Sequence, residues 1–354
     1  MKQAFRVLQI AFTYIGTVVG AGFATGQEIL QFFTQYGKWA TVTIGLSTML
    51  FVWLGTKMML IAHDTGSRSY EDLNKHLFGP KAGKWITWVT LLILIGVNSV
   101  MLAGAGSVFV EHLGLHYQTG LIVTLVGTYL LLGRGIQAIL QMNSIVVPMM
   151  LLLSLLMITS TIHHPGASRF ITLTTDSNPI QVWLSPLLYS SFNLALAQAV
   201  LVPVGNQIRS RNVLKWGGVL GGIGVGFMLM AAHFAMSAQM PGIIQFEIPM
   251  GSIAFQLGWA VQSVYVSLIF MEIFSTFVAD IYGMTLQLRQ HIHVHPRFIT
   301  LTIMLLCYSL SQFGFSSLLS ILYPIFGSLA LFWAAKLVLN RWGAFRGRKN
   351  IYKR

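Results

Sequence analysis

Charge is scarce in this 354-residue chain, of which only 9% is Asp, Glu, Lys or Arg. Soluble domains carry about 25% charged residues, so the chain has too few to cover a surface that faces water. Hydrophobic residues make up 55% of the sequence, and the mean hydropathy is +0.70. These values exclude a soluble enzyme and a disordered chain. They favour an all-helical integral membrane protein.

Cysteine and long polar stretches are scarce as well. Cys307 is the only cysteine, so an intramolecular disulfide is excluded and no redox site is expected. A membrane span needs about 20 apolar residues, and apolar runs fill most of the chain. They predict a single transmembrane domain with ten helices, at residues 5–34, 40–62, 85–110, 119–133, 136–160, 181–206, 213–237, 256–286, 298–314 and 318–339.

Positive charge, in contrast, exceeds negative charge, with 22 Lys and Arg against 9 Asp and Glu and a net charge of +13. Loops rich in Lys and Arg stay in the cytoplasm. If both termini are cytoplasmic and the spans alternate, all of these cations except Lys38 and Arg169 fall on the cytoplasmic side. The charge therefore predicts topology rather than a nucleic-acid partner, and residues 341–354 become a basic cytoplasmic tail.

Ten spans divide into two halves of five, which have opposite orientations because five is odd. This arithmetic is typical of transporters with inverted repeats. The first repeat covers about 5–160, an external linker about 161–180, and the second repeat about 181–340. We interpret the N-terminal run as a span rather than a cleaved signal peptide, because Gln27 and Glu28 interrupt it.

The first span of each half contains glycines or polar residues that are unusual in lipid. In span 1, residues 16–28 hold four glycines, two threonines, Gln27 and Glu28. In span 6, residues 189–193 read Tyr-Ser-Ser-Phe-Asn. Interrupted helices in matching positions indicate a binding site at the membrane midplane, so we expect helices 1 and 6 to be broken there. Because glycines spaced G-x-x-x-G also let helices touch, close packing is the alternative. The six glycines of span 7 lack polar neighbours and predict packing.

Few acidic residues fall inside the spans, and each is a functional candidate. Glu272, Ser275 and Thr276 share one face of helix 8, and such oxygen ligands suit a hard cation or a proton held by the carboxyl. The alternative is a protonated glutamate hydrogen-bonded between helices. Glu28 would lie in the first turn of the outer half-helix, where the helix dipole alone explains a carboxylate. Asp280 is expected to face water or pair with Arg289.

These considerations define two sets of candidate site residues. The predicted solute-binding residues are Gly20, Gly22, Thr25, Gly26, Asn98, Tyr189, Ser190, Ser191 and Asn193. The predicted residues for ion or proton coupling are Val19, Gly20, Glu28, Glu272, Ser275 and Thr276.

The segment from Gly20 to Glu28, G-A-G-F-A-T-G-Q-E, resembles that of the bacterial YkvI-like membrane proteins. These are similar to the amino acid–polyamine–organocation superfamily, so the resemblance implies a LeuT-type fold with a site between spans 1, 3, 6 and 8. It covers the whole chain in length, span count and orientation, and implies a bacterial plasma membrane protein. In LeuT-type sodium carriers, two consecutive hydroxyls on span 8 and freed carbonyls of span 1 hold sodium. Ser275 and Thr276 resemble that pair, whereas Glu272 departs from the pattern and makes a proton equally expected.

The expected function is secondary active transport of a small polar solute, an amino acid or related amine first, driven by sodium or a proton through alternating access. The expected partners are the solute and the lipid bilayer, with no cofactor, no metal beyond sodium, no nucleic acid and no obligate protein partner. One alternative is a non-transporting solute sensor, as the resemblance extends to germinant-receptor subunits. A further alternative is an intramembrane enzyme, although no H-E-x-x-H motif is present.

Overall fold

The computed structural model describes residues 2–132, 136–289, 292 and 294–340; the predicted basic tail, 341–354, lies outside them. The described residues form helices and no β strand. The sixteen α-helices are α1 (Lys2–Val18), α2 (Ala21–Thr25), α3 (Gln27–Phe32), α4 (Trp39–Leu50), α5 (Thr56–Thr65), α6 (Tyr70–Phe78), α7 (Pro80–Leu113), α8 (Tyr117–Leu132), α9 (Ile136–Ile162), α10 (Arg169–Thr172), α11 (Pro179–Gln207), α12 (Arg211–Ala238), α13 (Pro249–Gln256), α14 (Trp259–Arg289), α15 (Pro296–Ser311) and α16 (Phe315–Leu339).

Seven helical rods in the described part of the chain are long and apolar enough to cross a bilayer. They are α4 with α5, α7, the end of α9, α11, α12, α14 and α16. The shorter apolar helices α8 and α15 and the segmented helix α1–α3 account for the remaining predicted spans. The expectation of an all-helical membrane protein is confirmed. The count of ten crossings and the orientation of the termini stay predictions.

The first membrane helix is interrupted, as its sequence predicted. Helix α1 ends at Val18 and α2 begins at Ala21, with Gly20 extended at φ −111° and ψ −168°. A second interruption follows at Gly26, whose φ of 87° lies in the left-handed region that favours glycine. Glycine and polar residues therefore divide this helix into α1, α2 and α3.

The sixth membrane helix is not interrupted, and the prediction of a break there is wrong. Helix α11 runs without a gap from Pro179 to Gln207. The Asn193 side chain donates to the Tyr189 carbonyl 3.1 Å away, one turn earlier. Because this polar side chain is satisfied by its own helix, it does not compete for the backbone bonds that hold the helix together.

Four membrane helices pack closely through glycine. Helix α1 lies along α12, and α11 lies along α4 and α5. A Cβ added at any of the six α12 glycines would collide with or crowd a neighbouring residue. The pairs are Gly217 with Ile10, Gly218 with Thr56, Gly221 with Tyr14, Gly222 with Val52, Gly224 with Ile15, and Gly226 with Thr48. The packing interpretation of these glycines is confirmed.

A π-helical turn, Phe51–Gly55, joins α4 to α5. The Tyr14 hydroxyl donates to the Phe51 carbonyl at 2.7 Å and occupies the space where a Cβ on Gly55 would lie. Turns of this kind widen a helix and recur at functional sites. The π turn thus fixes Tyr14 between α5 and α12.

The remaining membrane helices gather around α7 and α14. Helix α7 packs against α8, α14, α15 and α16, and α14 packs against α9 as well. Short helices cover both ends of this arrangement. Ser69 and Asp72 form a capping box that starts α6, and α13 lies against α2 at the other end.

Candidate functional site

The break in the first helix exposes backbone polar groups in the interior of the protein. Within the described chain, no backbone N–H donates to the carbonyls of residues 16–19, and the N–H groups of residues 20–23 find no backbone acceptor. Regular bonding resumes where Ala24 donates to the Gly20 carbonyl at 2.8 Å. Helix ends of this kind attract cations to the freed carbonyls and anions to the freed N–H groups.

The Glu28 side chain lies directly beside this break. It starts from the first turn of α3, is only 3% exposed, and its carboxyl folds back over Gly22. A Cβ on Gly22 would overlap the Glu28 side chain, which explains why this position is glycine. The hydroxyls of Tyr189 on α11 and Tyr323 on α16 lie within interaction range of the carboxyl, while Glu28 Oε2 has no hydrogen-bond partner in the part of the chain that the structure describes.

Aromatic rings enclose the Glu28 carboxyl. Tyr189 packs on Phe33 with ring centroids 5.0 Å apart and on Phe51 at 6.1 Å, and Tyr323 packs on Phe192 at 4.5 Å. All five side chains are 0–1% exposed. The carboxyl therefore sits in an apolar enclosure, in which an unpaired charge is costly.

Glu272 occupies the middle of α14 and is fully buried. Neither of its carboxyl oxygens has a hydrogen-bond partner in the described chain, and Thr276 Oγ1 also has none. The Ser275 hydroxyl donates to the Glu272 backbone carbonyl at 3.2 Å. Helix α14 is tied to the broken helix by Tyr265, whose hydroxyl donates to the Ala24 carbonyl at 3.2 Å.

Asn98 contacts Asp280, whose carboxyl group was expected from the sequence to face water or pair with Arg289. Its Nδ2 donates to Asp280 Oδ2 at 3.0 Å and to the Leu94 carbonyl at 2.8 Å, and its Oδ1 is buried without a partner. The two residues are 182 positions apart, so no local sequence pattern could pair them. Asp280 is the residue that the structure adds to the predicted set.

Covers close this region at both ends. On the α13 side, Met250 occupies the space beside Gly26, and Glu111 accepts hydrogen bonds from the N–H groups of Glu247 and Ile248 at 2.8 and 3.0 Å. On the α6 side, Asn74 accepts from the Trp333 indole at 2.9 Å. These contacts hold the segments at α13 and α6 against the membrane helices.

The structure brings only part of the predicted set together. Gly22 and Glu28 touch, and Tyr189 lies beside them. Thr25 Oγ1 donates to the Gly22 carbonyl at 3.2 Å, and Ser190 Oγ is buried without a partner. The Asn193 side chain donates to the Tyr189 carbonyl of its own helix. The predicted contact of Ser275 and Thr276 with the carbonyls near Val19 and Gly20 stays a prediction, as do the assigned roles.

Solved structures share this architecture. The structure of MhsT in complex with L-phenylalanine superposes with a TM-score of 0.68 at 17% identity, over 93% of this chain and 88% of MhsT. The nucleobase-cation-symport-1 family transporter Mhp1 gives 0.63 at 13% identity, over 92% and 74%. The manganese transporter of Eremococcus coleocola gives 0.58 at 14% identity, over 94% and 78%. The fold is therefore of the LeuT type, within a membrane protein.

No family model matches the chain, but two bacterial proteins match nearly all of it. It is 35% identical over 340 residues to the uncharacterized membrane protein YkvI of Bacillus subtilis (strain 168), covering 94% of this chain and 95% of YkvI. It is 28% identical over 335 residues to the protein YyaD of the same strain, covering 93% and 96%. The chain belongs to the YkvI family, as its Gly20–Glu28 segment indicated.

Proposed function

We propose that the protein is a secondary active transporter of a small polar solute, coupled to sodium or a proton. The observation that carries the proposal is the break at Gly20, which leaves carbonyls and N–H groups unpaired close to the buried carboxyl of Glu28. Freed carbonyls favour a cation and freed N–H groups favour an anionic group on a solute. The same break therefore provides carbonyl groups for the coupling cation and N–H groups for the solute.

Amino acids and related amines are the first candidate solutes. A zwitterion would place its carboxylate at the N–H groups of residues 20–23 and its ammonium near a carboxylate such as Glu28. The fold shared with MhsT, solved in complex with L-phenylalanine, agrees with this class. Tyr189, which lies beside Glu28, is the first candidate to set specificity, and Ser190 and Asn98 are further candidates.

We further propose ten spans in a five-plus-five inverted repeat, with both termini cytoplasmic in a bacterial plasma membrane. The packing supports such a repeat, because equivalent helix pairs recur in both halves. Helix α1 packs on α12 as α11 packs on α4 and α5, and α7 packs on α16 as α14 packs on α9. Alternating access would move one group of helices against the other and open the α13 and α6 covers in turn.

A thermal-shift screen tests this proposal. Purified protein is heated with each of a panel of amino acids and amines, with and without sodium, across a pH range. We expect at least one solute to raise Tm, and the rise to depend on sodium or on pH, because ligands of the native state stabilise it by mass action. If no solute raises Tm under any condition, the proposal fails. A solute that binds but is never taken up would favour a sensor instead.

A further inference from the structure

Three oxygen-bearing side chains form a line on one face of α14. Glu272, Thr276 and Asp280 are each four residues apart, so successive side chains lie on neighbouring turns of the same face. The rise of an α-helix places the two carboxyls about 12 Å apart along the axis, with the hydroxyl midway. The line leads from a fully buried carboxyl towards the end of α14 that carries Arg289, which is predicted to be cytoplasmic.

Within the described chain, the first two members of this line have no hydrogen-bond partners. Both carboxyl oxygens of Glu272 and the Thr276 hydroxyl lack partners there. Threonine hydroxyls in helices often donate to the backbone carbonyl one turn earlier, but that of Thr276 does not. Buried polar atoms without partners are rare and need an explanation. Protons or water molecules shared along the line would satisfy all three atoms.

Asp280, the third member of the line, is partly exposed, and the side-chain amide of Asn98 holds it in place. Asn98 donates to Asp280 Oδ2, while Asn98 Oδ1 is left unsatisfied. A carboxylic acid and an amide can form a cyclic pair, in which the acid O–H donates to the amide oxygen. Asn98 can therefore bind both forms of Asp280, one bond for the carboxylate and two for the acid.

The other described groups that interact with Asp280 are neutral side chains. Tyr323 on α16, Cys307 on α15 and Tyr70 on α6 lie within electrostatic range of it, as does Asn98 on α7. No Lys, Arg or His of the described residues forms an ion pair with Asp280. Asp280 is thus free to gain and lose a proton, and Tyr70 lies on the α6 cover that would open to the cytoplasm.

We propose that Glu272, Thr276 and Asp280 form a proton path, in which Asp280 exchanges protons with the cytoplasmic side and Thr276 passes them to Glu272. Because these side chains do not bond to one another in the described chain, water molecules bridge them. In each transfer a bridging water or the Thr276 hydroxyl gives one proton to the accepting carboxylate and takes one from the donating acid, so charge and atoms balance. The path rests on the proposed function, and it selects the proton over sodium as the coupling ion. Asn98 is a positioning residue for Asp280.

Deuterium exchange of the Glu272 carboxylic acid tests the path without any solute. The full-length protein in lipid vesicles is transferred to D2O buffer at a pH where the acid band is present, and infrared spectra follow the shift of its C=O stretch. Glu272→Gln identifies the band. We expect Asp280→Asn and Thr276→Val to slow the shift at least tenfold. Ser267→Ala removes a hydroxyl of the same helix that bonds to the Ser263 carbonyl at 2.7 Å and lies off the line, so it should leave the rate unchanged.

The same spectra contain the amide band, which shows whether each variant is folded. If Asp280→Asn does not fold, Thr276→Val and Asp280→Glu provide the test, and Asp280→Glu should keep rapid exchange. Unchanged rates in folded Thr276→Val and Asp280→Asn would overturn the path, and so would the absence of any Glu272 acid band between pH 4 and 9. Neither result depends on solute transport, so a failure of the path is distinguishable from a failure of the proposed function.

Discussion

Glu28 and Glu272 are similarly buried, but the protein surrounds them differently. Glu28 begins a short helix, fits over a glycine and has two tyrosine hydroxyls beside it. Glu272 lies in the middle of a 31-residue helix, and neither of its carboxyl oxygens has a hydrogen-bond partner among the described residues. The first carboxyl has local structural reasons for its position, whereas the second has none. A buried carboxyl without a partner needs a proton or a cation, so Glu272 is the stronger coupling candidate.

The largest expected effect follows from neutralising Glu272. In Glu272→Gln, the response of Tm to sodium or pH should disappear, because the group that binds the ion is gone. A ligand at 100 times its Kd stabilises the native state by about 2.7 kcal/mol, which is the response at stake. Asp176→Asn, at an exposed linker carboxyl, is the control and should behave as the wild type. A full response in Glu272→Gln would remove the distinction between the two glutamates.

The second prediction concerns Glu28, whose change should affect solute rather than ion. A charge-assisted hydrogen bond contributes about 1.5–3 kcal/mol, so Glu28→Gln should weaken the binding of an ammonium-bearing solute by roughly 10- to 100-fold. The ion response should remain. Titration calorimetry with the solute that gives the greatest thermal shift measures this. Loss of the ion response with intact solute affinity would exchange the roles of the two residues.

A third variant tests the fit of Glu28 over Gly22. In Gly22→Ala the new methyl overlaps the Glu28 side chain, and overpacking of this kind costs about 1–3 kcal/mol. Gly45 is the matched control, since nothing lies within 4 Å of its Cβ position; Gly45→Ala should raise stability by roughly 0.5–1 kcal/mol. Tm measurements in the same detergent compare them. Equal effects would show that Glu28 does not depend on the space over Gly22.

The smallest effect is expected from removing a single hydroxyl beside Glu28. Tyr323→Phe keeps the ring that packs on Phe192 and removes one hydrogen-bonding group, so solute affinity should change only by a few-fold, in line with about 0.5–1.5 kcal/mol. Phe326→Leu, in which a nearby ring without a hydroxyl is removed, serves as the packing control. A hundredfold loss in Tyr323→Phe would mean that the hydroxyl contacts the solute directly.

The all-helical membrane fold could be predicted from sequence, because the length of an apolar run is set by the thickness of the bilayer. The break in the first helix was predictable too, since glycine and polar residues lie together there. The predicted break in the sixth helix was wrong. Ser and Asn favour a break only where their side chains bond to groups outside the helix, whereas the Asn193 side chain bonds to the Tyr189 carbonyl of the same helix.

Features that depend on contacts between distant segments could not be predicted. The Asn98–Asp280 bond joins α7 to α14, and the π turn of residues 51–55 is secured by Tyr14 from another helix. Neither leaves a local pattern in the sequence. The line of Glu272, Thr276 and Asp280 was present in the spacing, but its meaning required knowing that the first two side chains find no partner.

Gradient-driven uptake distinguishes an ion-coupled carrier from a protein that only binds the solute. Vesicles containing wild-type protein or Glu272→Gln are given a radiolabelled solute from the thermal-shift screen, with an inward sodium or proton gradient imposed. We expect the wild type to accumulate the solute above the outside concentration only while one of these gradients lasts. We expect Glu272→Gln to bind the solute without accumulating it. Normal accumulation by Glu272→Gln would show that Glu272 does not couple the ion to the solute.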